Sequence, residues 1–113
     1  MHSLRVVILL AGIVVTSSFA QAAGDSIAGQ KVIVKCQGCH GKDGLGRALP
    51  GGGEAPNIAG QKYDYLVHSL MAYKARERKS SMMSLVVKNL SDEDIANVAA
   101  YYAAIKITVE APQ

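Results

Sequence analysis

Apolar residues recur with a helical period in three stretches of this chain. The first stretch covers residues 26–35 and follows Asp25, which is a favourable N-cap residue. The second begins at Tyr63 or Asp64 and ends near Ala75. Its apolar face is formed by Leu66, Leu70 and Tyr73. The spacing predicts a short helix in each of these two stretches.

The third stretch has the clearest helix start in the chain. Ser91 precedes Asp94 by three residues, which approximates a capping box, and the acidic residues 92–94 suit the positive end of a helix dipole. Its apolar positions are Ile95, Val98, Ala99 and Tyr102. The helix is expected to end near Ile105. No loop with alternating carboxylates accompanies the acidic triplet, so a helix start is favoured over a calcium site.

Residues 41–61 separate the first two predicted helices and have the composition of a loop. The segment contains Pro50 and Pro56 and has glycine at positions 41, 44, 46, 51, 52, 53 and 60. No half of the chain is rich in strand patterns. The sequence therefore predicts an all-α fold of three main short helices with a long glycine-rich loop.

The first 22 residues have the layout of a secretory signal peptide. One cation at Arg5 precedes an almost unbroken apolar run from Val6 to Phe19, and Ala20-Gln21-Ala22 follows. A membrane anchor is the alternative, but a spanning helix needs about 20 apolar residues and this run is shorter. Cleavage is expected after Ala22 or Ala23. The prediction is a signal peptide at 1–22, a domain at 23–113 and a periplasmic location.

The charge balance of the chain is small. Its 12 Lys and Arg residues exceed its 9 Asp and Glu residues, which gives a formal net charge of +3. Such a balance does not indicate a nucleic-acid partner. A single domain at 23–113 has a marginal core by itself, so a bound apolar group would help it to fold.

Cys36, Cys39 and His40 form a C-x-x-C-H run, which is typical of covalent c-type haem attachment. Each thiol can add across one haem vinyl group, and the next residue places a neutral imidazole nitrogen on the iron. Cys36 and Cys39 are therefore candidate thioether anchors, and His40 is the candidate proximal ligand.

Other uses of the two cysteines are possible. A zinc site needs about four ligands, and beyond this run only His2 and His68 could supply a further nitrogen. A thioredoxin-like dithiol pair is expected near a βαβ pattern, which the sequence does not show. A dithiol or disulfide redox protein without haem stays as an alternative, and haem attachment is favoured.

Together with this run, an ordered set of motifs resembles the class I cytochromes c of the small soluble bacterial monohaem type. The matching positions are Gly29, residues 36–41, residues 55–61, Met82 with Met83, residues 90–95 and residues 100–102. The resemblance covers nearly all of residues 23–113. It implies a cytochrome c fold around one covalently bound haem, with Gly29 packed against Tyr101 where the terminal helices cross.

The resemblance also implies the sixth iron ligand. In this family it lies in the segment before the last helix, and Met83 has the usual spacing of seven residues before Leu90. The iron ligands are thus expected to be His40 and Met83. The neighbouring Met82 is the alternative sixth ligand. Its other interpretation is a core or haem-edge packing residue, which suits a flexible, polarisable side chain.

Three more residues are candidates for contacts with the haem or with its proximal histidine. A loop proline carbonyl accepts the second ring hydrogen of the proximal histidine in the family, and this role maps to Pro56. Such a bond fixes the tautomer of the histidine and makes it a stronger ligand. Gln61 and Tyr65 are candidates for contacts with the haem propionates.

Ligation by His and Met leaves no open coordination position, so an electron carrier is expected and not an enzyme. The expected partners are redox proteins, namely a membrane or periplasmic donor and a terminal oxidase or reductase acceptor. No nucleic acid or small-molecule substrate is expected, and the chain is expected to be a monomer or weak dimer. A haem subunit of a larger periplasmic oxidoreductase is the alternative within the same chemistry.

A group of basic residues has two interpretations. Lys74, Arg76, Arg78 and Lys79 follow the second predicted helix. One interpretation is a solvated helix end, because cations suit the negative end of a helix. The other interpretation is a patch that steers an acidic redox partner towards the protein.

Overall fold

A computed structural model describes residues 23–113, so the predicted signal peptide at 1–22 lies outside the described residues. The α-helices of the described part are α1 (Ser26–Val32), α2 (Gln37–His40), α3 (Tyr63–Lys74), α4 (Ser81–Val87) and α5 (Asp92–Ala103). A 3-10 turn, Ile33–Lys35, follows α1. Two short strands, β1 (Arg47–Ala48) and β2 (Glu54–Ala55), pair antiparallel. The prediction of a mainly helical fold is confirmed.

The structure adds two short helices, α2 and α4, to the three that the sequence predicts. The single turn of α2 is formed by the C-x-x-C-H run itself. The start of α4 is capped by Ser80, whose hydroxyl accepts a hydrogen bond from the backbone N–H of Met83 at 3.2 Å. A helical period is recognised over about 11 residues or more, so both helices are too short for the pattern to reveal.

Helices α1 and α5 cross at Gly29, which is buried. A Cβ atom at this position would collide with the carbonyl group of Asn97 and would lie 2.9 Å from Cβ of Tyr101. The two backbones can therefore approach this closely only because residue 29 has no side chain. The packing of Gly29 against Tyr101 agrees with the family resemblance.

Helix α5 has the expected capping box and joins the two parts of the core. The Ser91 hydroxyl accepts a hydrogen bond from the N–H of Asp94, and the Asp94 carboxylate accepts one from the N–H of Ser91, both at 3.0 Å. One core cluster contains Ile33, Leu66, Val98, Ala99 and Tyr102. The other contains Val87, Leu90 and Ile95. Because α5 contributes to both, it holds α3 and α4 in one unit.

The glycine-rich connection folds back towards the C-x-x-C-H run. The backbone N–H of Gly46 donates to the carbonyl oxygen of His40 at 2.8 Å, and the carbonyl oxygen of Gly44 accepts from the N–H of Ile58 at 2.7 Å. Gly44 and Gly46 have φ angles of 72° and 80°, which residues with a Cβ rarely adopt. These turns bring Pro56 next to His40.

Candidate haem-binding site

A cavity of about 350 Å³ lies between the C-x-x-C-H run, the glycine-rich connection and helices α3, α4 and α5. Pockets that hold cofactors and other small ligands have volumes of about 300–1,000 Å³ and mainly apolar linings. The apolar wall includes Ile58, Leu66, Leu70, Val86, Val98 and Ala99. The size and the apolar character of the cavity both suit a large, flat hydrophobic group.

The two cysteines and His40 reach this cavity from one helical turn. The N–H groups of Cys39 and His40 both donate to the carbonyl oxygen of Cys36, at 3.2 and 2.9 Å. Residues three apart lie on the same face of a helix, so the two thiols share one side of α2. Both thiols are free and partly buried. The turn therefore presents two attachment points to the same cavity.

His40 is held in one orientation by the glycine-rich connection. Its side chain is buried, and its Nδ1 atom lies 2.9 Å from the carbonyl oxygen of Pro56. Because a carbonyl oxygen only accepts hydrogen bonds, this contact places the ring proton on Nδ1. The other ring nitrogen, Nε2, then carries the lone pair that a metal ligand needs.

Burial changes the acidity of one of the thiols. It raises the pKa of Cys36 to about 11, although the positive charge of Lys35 acts in the opposite direction. Reactive dithiol proteins instead have a cysteine with a lowered pKa in an electropositive environment. This environment of Cys36 does not favour the interpretation as a dithiol redox protein.

Met82 and Met83 both line the cavity, from the first turn of α4. They differ in burial: Met82 is 58% exposed, whereas Met83 is partly buried and packs against the cluster of Val87, Leu90 and Ile95. The backbone of Met83 is also fixed by its hydrogen bond to Ser80. The structure thus brings the thioether of Met83 to the cavity that His40 lines.

The remaining candidates divide between the cavity and the surface. Gln61 and Tyr65 line the cavity, whereas His68 lies on the exposed face of α3. Within residues 23–113, no group of three or more His, Cys, Asp and Glu side chains could hold a metal ion. Sequence reasoning did not separate Arg78 from the neighbouring cations, yet Arg78 also lines the cavity.

The described donor set fits a covalently bound haem. Two thiols can form the thioether links, one imidazole and one thioether can serve as axial ligands, and the apolar walls can cover the ring. The arrangement of helices around this cavity is that of a c-type cytochrome.

Comparisons with known proteins agree with this class. Residues 20–101 match the family model described as cytochrome c oxidase, cbb3-type, subunit III. Cytochrome c-554(548) of Halomonas halodenitrificans is 44% identical over 85 residues, which cover 73% of this chain and 98% of the relative. Cytochrome c4 of Pseudomonas aeruginosa is 39% identical over 93 residues, or 82% of this chain and 44% of the relative.

The fold is also similar to a solved structure, that of cytochrome c4 from Acidithiobacillus ferrooxidans. The TM-score is 0.62 at 24% sequence identity, and the match covers 78% of this chain and 54% of the other. This chain therefore spans about half the length of the cytochromes c4 that it matches. The chain belongs to the cytochrome c family. It is an electron-transfer protein with covalently bound haem c, not an enzyme.

Proposed function

We propose that this protein is a periplasmic single-electron carrier, with haem c attached at Cys36 and Cys39 and ligated by His40 and Met83. The observation that carries this proposal is the convergence of all four side chains on one apolar cavity. When bound, haem c supplies an iron that alternates between the ferric and ferrous states.

The residues around the site have distinct roles. Pro56 accepts the Nδ1 proton of His40, which orients the ring and leaves Nε2 available for ligation. Ligation by a Met thioether raises the reduction potential of a haem, so Met83 favours acceptance of an electron. With His40 and Met83 both holding the iron, the protein would leave no position for oxygen, so the site would suit electron transfer and not oxygen chemistry.

The axial ligands are tested by visible and near-infrared absorption of the oxidised and dithionite-reduced holoprotein. We expect sharp reduced α and β bands and a weak near-infrared band from sulfur on ferric iron. Met83→Ala should lose this band and bind carbon monoxide after reduction. Met82→Ala is the matched control and should keep the spectrum of the wild type.

Two outcomes would contradict the proposal. If the exported chain has both cysteines intact but carries no haem, the interpretation as a dithiol redox protein would be favoured instead. A near-infrared band that survives in Met83→Ala and is lost in Met82→Ala would assign the sixth ligand to Met82.

The location follows from the proposed division into a signal peptide at 1–22 and a haem domain at 23–113. No helix within residues 23–113 is long and apolar enough to cross a membrane. Intact-mass analysis of haem protein from the periplasmic fraction tests the division. The mass should fit a chain that begins at Ala23 or Gly24, whereas retention of residues 1–22 would support a membrane anchor.

A second candidate is a haem subunit of a larger periplasmic oxidoreductase. The matching family model is described as an oxidase subunit, which favours this alternative. Gel filtration of native extract with detection of covalent haem separates the two. A carrier binds its membrane or periplasmic donor and its terminal oxidase or reductase acceptor only transiently, so it should elute as a monomer or weak dimer. A subunit should elute in a large complex.

A further inference from the structure

The basic residues that follow α3 have different surroundings. Lys74 forms an ion pair with Asp92, with 3.2 Å between Nζ and Oδ1. Lys79 is exposed and does not line the cavity. Arg78 is the member of this group that lines the cavity wall. The four cations therefore do not share one environment.

Two side chains of α3 fix the guanidinium group of Arg78. Its Nη1 atom donates a hydrogen bond to the hydroxyl of Ser69 at 3.0 Å. Its Cζ atom lies 4.8 Å from the centre of the Tyr73 ring, which is within the range of a cation–π interaction. Ser69 and Tyr73 are one helical turn apart, and both line the cavity. Arg78 is thus positioned at the cavity although the residue is exposed overall.

The charge of Arg78 is not balanced by a carboxylate of the described chain. In residues 23–113 the single ion pair joins Lys74 and Asp92. The charged residues that line the cavity are Lys35 and Arg78, which are basic, and Glu54, which is acidic. A guanidinium group has five N–H donors, and Ser69 takes one bond from them. Donors for an anionic group therefore remain at the cavity wall.

Haem brings two carboxylate groups to a mainly apolar cavity. A carboxylate that loses water needs a charged partner or several hydrogen bonds, and a fixed arginine binds it more strongly than a neutral donor does. We propose that Arg78 is the counter-ion of a haem propionate, with Ser69 and Tyr73 as its positioning residues. This inference rests on the proposed haem site.

The pairing has a consequence for the reduction potential. A positive charge that neutralises a propionate near the iron disfavours the ferric state, which carries one more positive charge than the ferrous state. The expected role of Arg78 is therefore to raise the reduction potential. A charge on the outer surface would have a smaller effect that salt removes.

The test compares the reduction potentials of holoprotein from the wild type, Arg78→Gln and Lys79→Gln. The two variants lose the same charge at neighbouring positions. We expect Arg78→Gln to lower the reduction equilibrium constant by about three- to tenfold, where tenfold equals about 59 mV for one electron. The effect should persist between about 0.01 M and about 1 M salt, whereas any shift in Lys79→Gln should vanish at high salt.

A further variant keeps the test decisive if Arg78→Gln yields no holoprotein. Ser69→Ala leaves every charge in place and removes the acceptor that orients the guanidinium group. It should lower the potential in the same direction by a smaller factor, and a potential equal to that of the wild type in this variant would then overturn the proposal.

The outcomes separate the two proposals. Equal shifts in Arg78→Gln and Lys79→Gln that both disappear at high salt would show that Arg78 acts only as a surface charge. In that case the haem spectrum of the variants would still establish the carrier. Absence of covalent haem from the wild type would instead remove the proposed function itself.

Discussion

The hydroxyl of Tyr102 donates a hydrogen bond to the carbonyl oxygen of Gly41, 3.0 Å away and inside the protein. This bond joins the last helix to the residue that directly follows His40. Tyr101 makes a similar bond to the carbonyl oxygen of Lys42 at 2.9 Å, but on the exposed side. Two adjacent tyrosines thus fix the chain where it leaves the haem motif.

Tyr102→Phe tests the contribution of the buried bond to stability. The substitution removes the hydroxyl bond to the buried Gly41 carbonyl, which still accepts from the N–H of Gly44 at 3.2 Å. We therefore expect the free energy of unfolding to fall by about 1–2 kcal/mol. Tyr101→Phe is the control and should cost less, about 0.5–1.5 kcal/mol, because water can replace its hydroxyl. Guanidinium chloride unfolding of both holoproteins measures the difference. Equal losses would contradict the assigned burial.

The same tyrosine predicts a loss of stability at alkaline pH. Burial raises the pKa of Tyr102 above its ordinary value of 10.0, and the neighbouring Tyr101 and Asp43 act in the same direction. Cys36 adds to this rise only while its thiol is free, which is not the case in the proposed holoprotein. Above pH 10 the folded chain keeps a proton that the unfolded chain has lost, so unfolding becomes easier as the pH rises.

Thermal unfolding of holoprotein between neutral pH and pH 11 checks this dependence. The stabilising effect is complete below pH 10, and above it the free energy of unfolding should fall by up to about 1.4 kcal/mol per pH unit. Tyr102→Phe should be less stable at neutral pH but should show a shallower alkaline decline. Parallel curves for the two proteins would show that other groups cause the decline.

Gly29→Ala tests the helix crossing. Alanine is favoured over glycine inside a helix by about 1 kcal/mol, but its Cβ would meet the backbone of Asn97. Overpacking of this kind typically costs about 1–3 kcal/mol, and the close backbone contact favours the upper end, so we expect a net loss of stability.

Gly38→Ala is the matched control for this substitution. Gly38 also lies in a helix, α2, but apart from its chain neighbours and the backbone of its own helix no atom lies within 4 Å of the position that its Cβ would occupy. We expect the stability of this holoprotein to be unchanged or raised by up to about 1 kcal/mol. A stable Gly29→Ala protein in denaturant unfolding would disprove the close approach of α1 and α5.

Arg76→Gly is expected to stabilise the protein. Arg76 has a φ of 60°, the left-handed conformation that commonly ends helices, and it is the only non-glycine residue with positive φ in the described part. Glycine adopts this conformation without the steric cost, so a gain of about 0.5–1 kcal/mol is expected.

Arg76→Ala separates the effect of backbone conformation on stability from the effect of the lost charge. Both variants remove the same positive charge, but alanine keeps the Cβ that makes the left-handed conformation unfavourable. Denaturant unfolding should therefore show a gain for Arg76→Gly and none for Arg76→Ala. An equal gain in both would indicate that charge repulsion, and not backbone strain, limits stability at this turn.

Local patterns in the sequence were sufficient to predict the longer elements. Helix α5 follows from its capping box at Ser91 and Asp94 and from four apolar positions with a helical period. The spacing of the C-x-x-C-H run alone predicts Cys36 and Cys39 as the attachment points. The family resemblance supplied Pro56, whose carbonyl oxygen lies 16 residues along the chain from the His40 ring that it contacts.

Features that depend on the path of the chain could not be predicted in this way. Helix α4 has seven residues, too few to show a period. Arg78 has the same sequence character as Lys79. Its different position follows the turn at Arg76 and places it over Ser69 and Tyr73. Such a turn is not signalled by the sequence, because position 76 is not glycine.

The side chains that line the cavity come from many parts of the described chain. The lining side chains run from Lys35 to Tyr102, so the folded chain encloses the cavity from almost every element. With haem proposed to join Cys36 and Cys39, we expect attachment to precede the packing of α3, α4 and α5 around the cavity. A chain that folded first would hold both thiols partly buried and hinder their access to haem.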